Sequence, residues 1–309
     1  MNTPSTAMPD SPLDSQGIAP TVMAAARPMY WSIRRELWEN HSIYIAPLAA
    51  AAVAMFGFLI SLIWLPHKMR ALSVLDPAQQ HDAITMPFHF AAGSIMVTAF
   101  IVSIFYSLDA LYGERRDRSI LFWKSLPVSD LTTVLSKASI PLFVLPLLAF
   151  VITAITQSIM LLFGSLVLLA NGLSVAPLWT QLQLHQSLLL LLYHLVTAHM
   201  LWYAPFYAWF LLVSVWARRA PFLWAVLPPL VIGIFEKIAF HSSHFAAQLH
   251  DRFSGGSEAG ASMMGDPFTP GVHLSPGAFL ASQSLWIGLA FAAIFLAAAV
   301  RLRRYREPI

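Results

Sequence analysis

Six apolar runs, each long enough to cross a bilayer, dominate the sequence. A spanning helix needs about 20 apolar residues. The chain is 58% hydrophobic and 11% charged, whereas a soluble domain carries about 25% charged residues. We therefore predict an all-α integral membrane protein. Its spans are expected at about 43–65, 90–112, 140–170, 187–216, 221–240 and 278–300.

Prolines mark expected irregularities in three of these spans. Pro141 is expected in the first turn of the third span, where a missing backbone N–H does no harm. Pro205 lies inside the fourth span, and Pro228-Pro229 interrupt the fifth. The sequence predicts bends at these last two places.

Basic residues predict the orientation, because lysine and arginine are retained on the cytoplasmic side. With both termini inside, 14 of the 18 basic residues are cytoplasmic. The four others are Lys68, Arg70, Lys237 and Arg252. We expect a multi-pass protein of the cell (inner) membrane with cytoplasmic termini. The net charge of +3 then needs no nucleic-acid partner.

Three regions lie outside the predicted spans. Residues 1–27 are rich in Ser, Pro and Asp and are predicted to be a disordered tail. Residues 28–42 place aromatic side chains on one face and charges on another, which favours a helix in the headgroup plane over an extension of the first span. Residues 241–277 form a long outer segment that is either a small cap or a loop.

Histidines supply few candidates for chemistry. His241 and His244, three residues apart, are candidate metal ligands, with a polar surface cluster as the alternative. His194 and His199 lie inside the fourth span, where ionisable residues are functional candidates. Five residues apart on an α-helix, they are not expected to share a face. Glu236-Lys237 is interpreted as a helix-end anchor rather than a substrate site.

Enzyme motifs are absent from the sequence. None of the four lysines follows a glycine, so the chain has no Walker A loop, and any ATP-driven work requires another chain. Neither GxSxG nor HExxH occurs. The absence of cysteine excludes disulfides and thiolate metal sites.

The most charged stretch is LYGERRDRSILFWKSLPVSD, at 111–130, between the second and third predicted spans. Its charged residues can orient a partner, and its apolar residues are typical binding anchors. Ser129 or Asp130 is expected to cap the following helix. A solvated loop packed on the membrane is the alternative interpretation.

This stretch resembles the cytoplasmic loop of type 2 ABC-transporter permeases, the membrane subunits of exporters. The resemblance rests on Glu-x-Arg-like charges at 114–118 followed by Ser125-Leu126-Pro127-Val128-Ser129. The six spans and the amphipathic segment before them agree with that family. Bulky Phe122 and Trp123 depart from its usual pattern.

The resemblance implies a permease domain over 28–309, with an interfacial elbow helix and a coupling helix within the loop 113–138. It implies docking of a cytoplasmic ATP-binding subunit, which would hold ATP and Mg²⁺, while this chain carries no cofactor. It also implies a second permease copy and surrounding lipid. The docking residues would be Glu114, Arg115, Arg118, Ile120, Phe122, Trp123 and Lys124. A non-ABC carrier or scaffold, or an integral-membrane enzyme, remains the alternative.

Overall fold

The computed structural model describes residues 22–72, 76–125, 128–254 and 276–305, and all regular structure in these ranges is helical. The predictions for the tail 1–21, for Leu126-Pro127 and for residues 255–275 lie outside the described residues. The first seven helices are α1 Val22–Glu39, α2 Ser42–Ser61, α3 Leu65–Leu72, α4 Pro77–Asp109, α5 Tyr112–Arg116, α6 Ile120–Ser125 and α7 Asp130–Ser139.

The second half of the chain contains two π-helical segments, in which hydrogen bonds join residues five apart. The elements are π1 Ile140–Val144, α8 Leu145–Ala170, α9 Ala176–Leu182, α10 Leu184–His194, π2 Leu195–Trp202, α11 Ala204–Trp216, α12 Pro221–Phe240, α13 His244–Ser254, α14 Pro276–Ala281 and α15 Gln283–Tyr305.

Six helices in the described residues are long and apolar enough to cross a membrane, as the sequence predicted. They are Ser42–Ser61, Ala78–Arg116, Asp130–Ala170, Ala176–Trp202, Pro221–Phe240 and Gln283–Tyr305. The chain is therefore a multi-pass membrane protein. Its second and third spans begin well before the predicted 90 and 140, because each continues as a helix through polar residues beyond the apolar run.

The prolines act differently from what the sequence suggested. Pro141 does not start a helix, because α7, π1 and α8 run on without a break from Asp130 to Ala170. The π-turn at Ile140–Val144 lets the helix continue past a residue that lacks the N–H. The predicted fourth span, 187–216, is interrupted at Tyr203, just before Pro205, so the spanning helix Ala176–Trp202 ends there and α11 follows as a separate shorter apolar helix. Helix α12 contains Pro228-Pro229 yet is continuous, so the predicted interruption of the fifth span is wrong.

The helices pack into one bundle with two distinct ends. Helices α2, α4 and α8 share an apolar core that includes Phe58, Phe88 and Met160. Helices α11 and α15 pack together around Ala208 and Ala292. The ends of α1, α4, α11 and α15 meet the short helices α5, α6 and α7, and we call this end of the molecule the basic end. Helix α13 lies at the opposite end.

Helix α1 begins at Val22, so residues 22–27 are helical where the sequence analysis placed them in the tail. Its Trp31 and Trp38 are exposed, with the Arg34 guanidinium 5.3 and 4.8 Å from their rings. Ile33 and Leu37 pack against the bundle. This helix presents an aromatic outer face and lies against the basic end.

Candidate functional site

Six charged side chains form a partly buried cluster at the basic end, which we call the ionic network. Its members are Arg35, Glu36, Glu114, Asp130, Lys137 and Arg303. They come from α1, α5, α7 and α15. Among these six side chains three cations face three carboxylates, and such pairing is how a protein tolerates charge away from water. Arg35 also lies 3.4 Å from a fourth carboxylate, the half-exposed Glu39.

Glu36 is the most buried carboxylate of the network, with 1% of its side chain exposed. Its Oε1 accepts hydrogen bonds from Lys137 Nζ at 2.8 Å and from Arg35 Nη2 at 2.8 Å. Its Oε2 accepts a hydrogen bond from Tyr106 Oη at 2.8 Å. One side chain of α1 is thereby fixed to α4 and α7.

Glu114 occupies the centre of the network. Its Oε2 accepts a hydrogen bond from Arg303 Nη2 at 2.8 Å, and its Oε1 lies 3.2 Å from Lys137 Nζ and 3.3 Å from Arg35 Nη2. Arg303 Nη1 in turn donates to Asp130 Oδ1 at 2.9 Å. The first helix of the loop is therefore tied to the first and last long helices of the chain.

Local sequence explains how α7 supplies two members of the network. Ser129 is the N-cap, and its hydroxyl accepts from Thr132 N at 3.1 Å, as the sequence predicted. The capped helix begins at Asp130, and Lys137 follows two turns later on the same face.

Two further contacts fix the loop to the end of α11. Ser214 Oγ accepts hydrogen bonds from Leu111 N at 2.9 Å and Tyr112 N at 2.8 Å. Arg115 Nη1 donates to the carbonyls of Val215 and Ala217, the latter at 3.0 Å. These carbonyls lie at a helix C-terminus, where no backbone partner is available within the helix.

The outward face of the loop is apolar at its centre and charged at its edge. Leu121 and Phe122 are 60% and 59% exposed. The Trp123 ring lies 4.9 Å from Phe122 and is covered by the Arg35 guanidinium at 3.7 Å. Trp123 therefore contacts the ionic network, whereas Phe122 points away from it.

Charged residues flank this apolar face. Arg116 Nε donates to Asp117 Oδ1 at 2.9 Å, and this hydrogen bond lowers the pKa of the exposed Asp117 carboxyl. Arg118 is exposed and has a φ of 58°, a left-handed backbone that turns the chain between α5 and α6. Lys124 is exposed, with its Nζ 3.4 Å from the Arg304 carbonyl.

The seven predicted docking residues thus divide into two groups. Glu114, Arg115 and Ile120 are buried and contact their own chain. Arg118, Phe122 and Lys124 are exposed, and Trp123 is partly exposed. Docking stays a prediction, and in this structure the surface available to a partner is the second group with Leu121.

The sequence analysis missed the network partners of Glu114. Lys137 follows the loop motif and precedes an apolar run, so it was interpreted as one more of the basic residues that mark the cytoplasmic side. Arg303 had the same interpretation. Glu36 lay on the polar side of the predicted amphipathic helix, and Tyr106 lay inside an apolar run. Only the three-dimensional arrangement brings these four residues together.

A second group of polar side chains lies within the helix bundle. The rings of His194 and His199 are 6.0 Å apart, which contradicts the expectation that they face different ways. The reason is π2, which follows His194 directly and brings residues five apart onto one face. His199 is 2% exposed, and neither of its ring nitrogens has a hydrogen-bond partner in the part of the chain that the structure describes.

The outer histidines are surface residues. His241 ends α12 with a φ of 53°, and His244 begins α13, both exposed. Among the described residues, no group of three or more His, Cys, Asp or Glu side chains could hold a metal ion. Glu236 binds the start of α13, because its Oε1 accepts from His244 N at 2.8 Å. The anchoring of the helix end by Glu236-Lys237 stays a prediction.

Comparison with known proteins yields no relative. No protein-family model matches the chain, and neither a curated protein nor a solved structure is significantly similar to it.

Proposed function

We propose that this chain is the membrane-spanning subunit of an ATP-driven ABC exporter, with ATP bound and hydrolysed on a separate cytoplasmic subunit. The observation that carries the proposal is the loop between the second and third spans. Its sequence resembles the coupling loop of type 2 permeases, and its apolar outer face sits directly on the ionic network.

The exposed face of the loop is suited to hold a partner. Leu121 and Phe122 offer apolar anchors of the kind that dominate binding energy at interfaces. Arg118 and Lys124 lie beside them and can orient an acidic surface. Phe122 is exposed at the basic end and surrounded by charged residues. Its ring is therefore better suited to contact a cytoplasmic partner than to contact lipid.

The network behind that face supports a mechanical role. A force on α6 would reach α1 through the Trp123–Arg35 contact and α15 through Glu114 and Arg303. Helix α11 is joined through Ser214 and Arg115. Closure of an ATPase dimer would therefore move several long helices together and shift the bundle between two conformations.

The proposal separates docking residues from transmission residues, which gives it a test. The chain is co-expressed with candidate ATPases from the same genome that contain a Walker A motif, and complex formation and ATP-dependent transport are measured. In the Leu121→Ala/Phe122→Ala variant we expect at least tenfold weaker assembly, since loss of one aromatic anchor costs about 2 kcal/mol or more. Phe56→Ala, which removes an equally exposed ring from α2, is the control.

Transmission is tested with Lys137→Met in the same complex. Lys137 is 3% exposed and contacts two carboxylates of its own chain, so the ATPase should still bind while hydrolysis no longer drives transport. Intact assembly in the docking variant would contradict the placement of the interface. Absence of any stable ATPase complex would contradict the function itself.

A proton-linked carrier is the second candidate, and the paired histidines favour it. Two imidazoles 6.0 Å apart inside a membrane span are an arrangement that can accept and pass a proton. This function predicts uptake or export by the isolated chain in liposomes, driven by a pH gradient without ATP. Loss of that transport in His199→Phe, with the fold intact, would favour the carrier over the exporter.

A further inference from the structure

Helix α13 folds back over the end of the bundle opposite the ionic network. The turn that directs it is held by Glu236, whose carboxylate accepts from Ser242 Oγ at 2.8 Å, His244 N at 2.8 Å and Phe245 N at 2.9 Å. A carboxylate on the first N–H groups of a helix stabilises its N-terminus. This end of α13 therefore serves as a fixed hinge.

The other end of α13 is attached to the bundle by Arg252. Its Nη1 donates to the Ser284 carbonyl at 2.7 Å, and its guanidinium lies 4.6 Å from the Trp202 ring centre. Trp202 Nε1 donates back to the Arg252 carbonyl at 2.8 Å. Tyr203 Oη donates to the Phe253 carbonyl at 3.0 Å. These contacts join α13 to π2 and α15.

Gly288 of α15 allows Arg252 to approach so closely. A methyl group at Gly288 would overlap the Arg252 guanidinium. Close approach of a neighbouring group is a recognised reason for glycine within a helix, where it is otherwise unfavourable. The sequence thus provides both the cation and the space that accepts it.

The attached end of α13 is linked to the interior histidine group through Phe100. Phe253 packs edge-on against Phe100 with ring centres 6.2 Å apart, and Phe100 packs in the same way against His199 at 6.2 Å. Among the described residues, neither ring nitrogen of the buried His199 has a hydrogen-bond partner. Unsatisfied buried polar groups are rare in native structures, and each one requires an explanation.

We infer that α13 is a gate, hinged at Glu236 and latched by Arg252 over Gly288, that closes the bundle at the end opposite the loop. Opening breaks the Arg252 contacts, frees the Tyr203 hydroxyl from Phe253 and separates Phe253 from Phe100, the ring that packs against His199. The passage of cargo through this opening rests on the proposed function, whereas the latch itself does not.

The test is hydrogen–deuterium exchange, read by mass spectrometry, on the full chain alone in lipid nanodiscs. Exchange of a helix amide follows the free energy of local opening. Loss of a charge-assisted hydrogen bond is worth more than one factor of ten in that equilibrium. We expect the amides of His244–Ser254 to exchange about tenfold faster in Arg252→Ala. Gln248→Ala, an exposed residue one turn earlier on α13, should exchange as the wild type does.

Gly288→Ala provides an independent second variant, since it leaves the guanidinium in place but fills its space. It should also accelerate exchange of α13 about tenfold, whereas Gly57→Ala, whose methyl meets no atom within 4 Å, should not. The double variant that combines Gly288→Ala with Arg252→Ala should exchange the amides of α13 no faster than either single variant.

Two results would overturn the gate. One is that α13 exchanges at the wild-type rate in both Arg252→Ala and Gly288→Ala. The other is that the increases in exchange rate add together in the double variant. Because no ATPase is present, that result would leave the proposed function standing. Conversely, if these variants exchange fast but no ATPase partner is found, the latch is supported and the exporter function is contradicted.

Discussion

Replacing Lys137 by methionine is expected to destabilise the protein by about 3 kcal/mol. Lys137 is 3% exposed, and its ammonium lies 2.8 Å from Glu36 Oε1 and 3.2 Å from Glu114 Oε1. Methionine preserves most of the side-chain volume and removes the charge. The change leaves two buried carboxylates with one cation fewer.

The magnitude follows from the contacts that remain. Removing one partner of a buried ion pair typically costs about 3–5 kcal/mol. Here Arg35 still contacts both carboxylates, Tyr106 still donates to Glu36, and Arg303 still binds Glu114. The lower end of that range is therefore expected.

The assay is reversible unfolding in mixed micelles of mild detergent and SDS, followed by tryptophan fluorescence. Trp123, one of the ten tryptophans of the chain, contributes to this signal, and the Arg35 guanidinium lies 3.7 Å above its ring. Lys124→Met is the matched control, since Lys124 is exposed and surface charges contribute about 0–1 kcal/mol. A Lys137→Met variant within about 0.5 kcal/mol of Lys124→Met would refute the view that the network holds the basic end together.

Two other predictions follow from single contacts. Ser214→Ala removes the acceptor of two backbone N–H groups and should lower the free energy of unfolding by about 1–3 kcal/mol in the same titration. Ser158→Ala, whose exposed hydroxyl donates to Ala154 O within its own helix, should change it little. His199→Phe keeps a ring and deletes two unpaired nitrogens, so the free energy of unfolding should be unchanged or rise by up to about 1 kcal/mol. A loss larger than that would show that His199 has a structural partner.

Much of the fold could be predicted from the sequence, because spans and helix caps depend on residues that are close together in the chain. Apolar runs predict spans, since a bilayer requires about 20 apolar residues in a helix. A cap of α7 by Ser129 or Asp130 was predicted because a cap depends on residues three positions away, and the structure shows that it is Ser129.

The rest depends on distant residues or on departures from an ideal α-helix. Glu36 is buried because Tyr106 and Lys137 reach it, 70 and 101 positions along the chain. The pairing of His194 with His199 depends on a π-helix, which a 3.6-residue wheel cannot represent. Burial raises the pKa of the Glu39 carboxyl, although the neighbouring Arg35 opposes the shift, and neither effect is visible in the sequence alone.

The most direct test of the account is photo-crosslinking from position 122 in living cells. The photoreactive phenylalanine analogue benzoylphenylalanine replaces Phe122, whose ring is exposed on the loop, and in a parallel strain it replaces the equally exposed Phe56 of α2. The account predicts a covalent adduct at 122, and not at 56, with a second polypeptide that contains a Walker A motif. Adducts at 122 with lipid alone, or with no Walker A protein, would contradict the claim that this loop receives the ATPase.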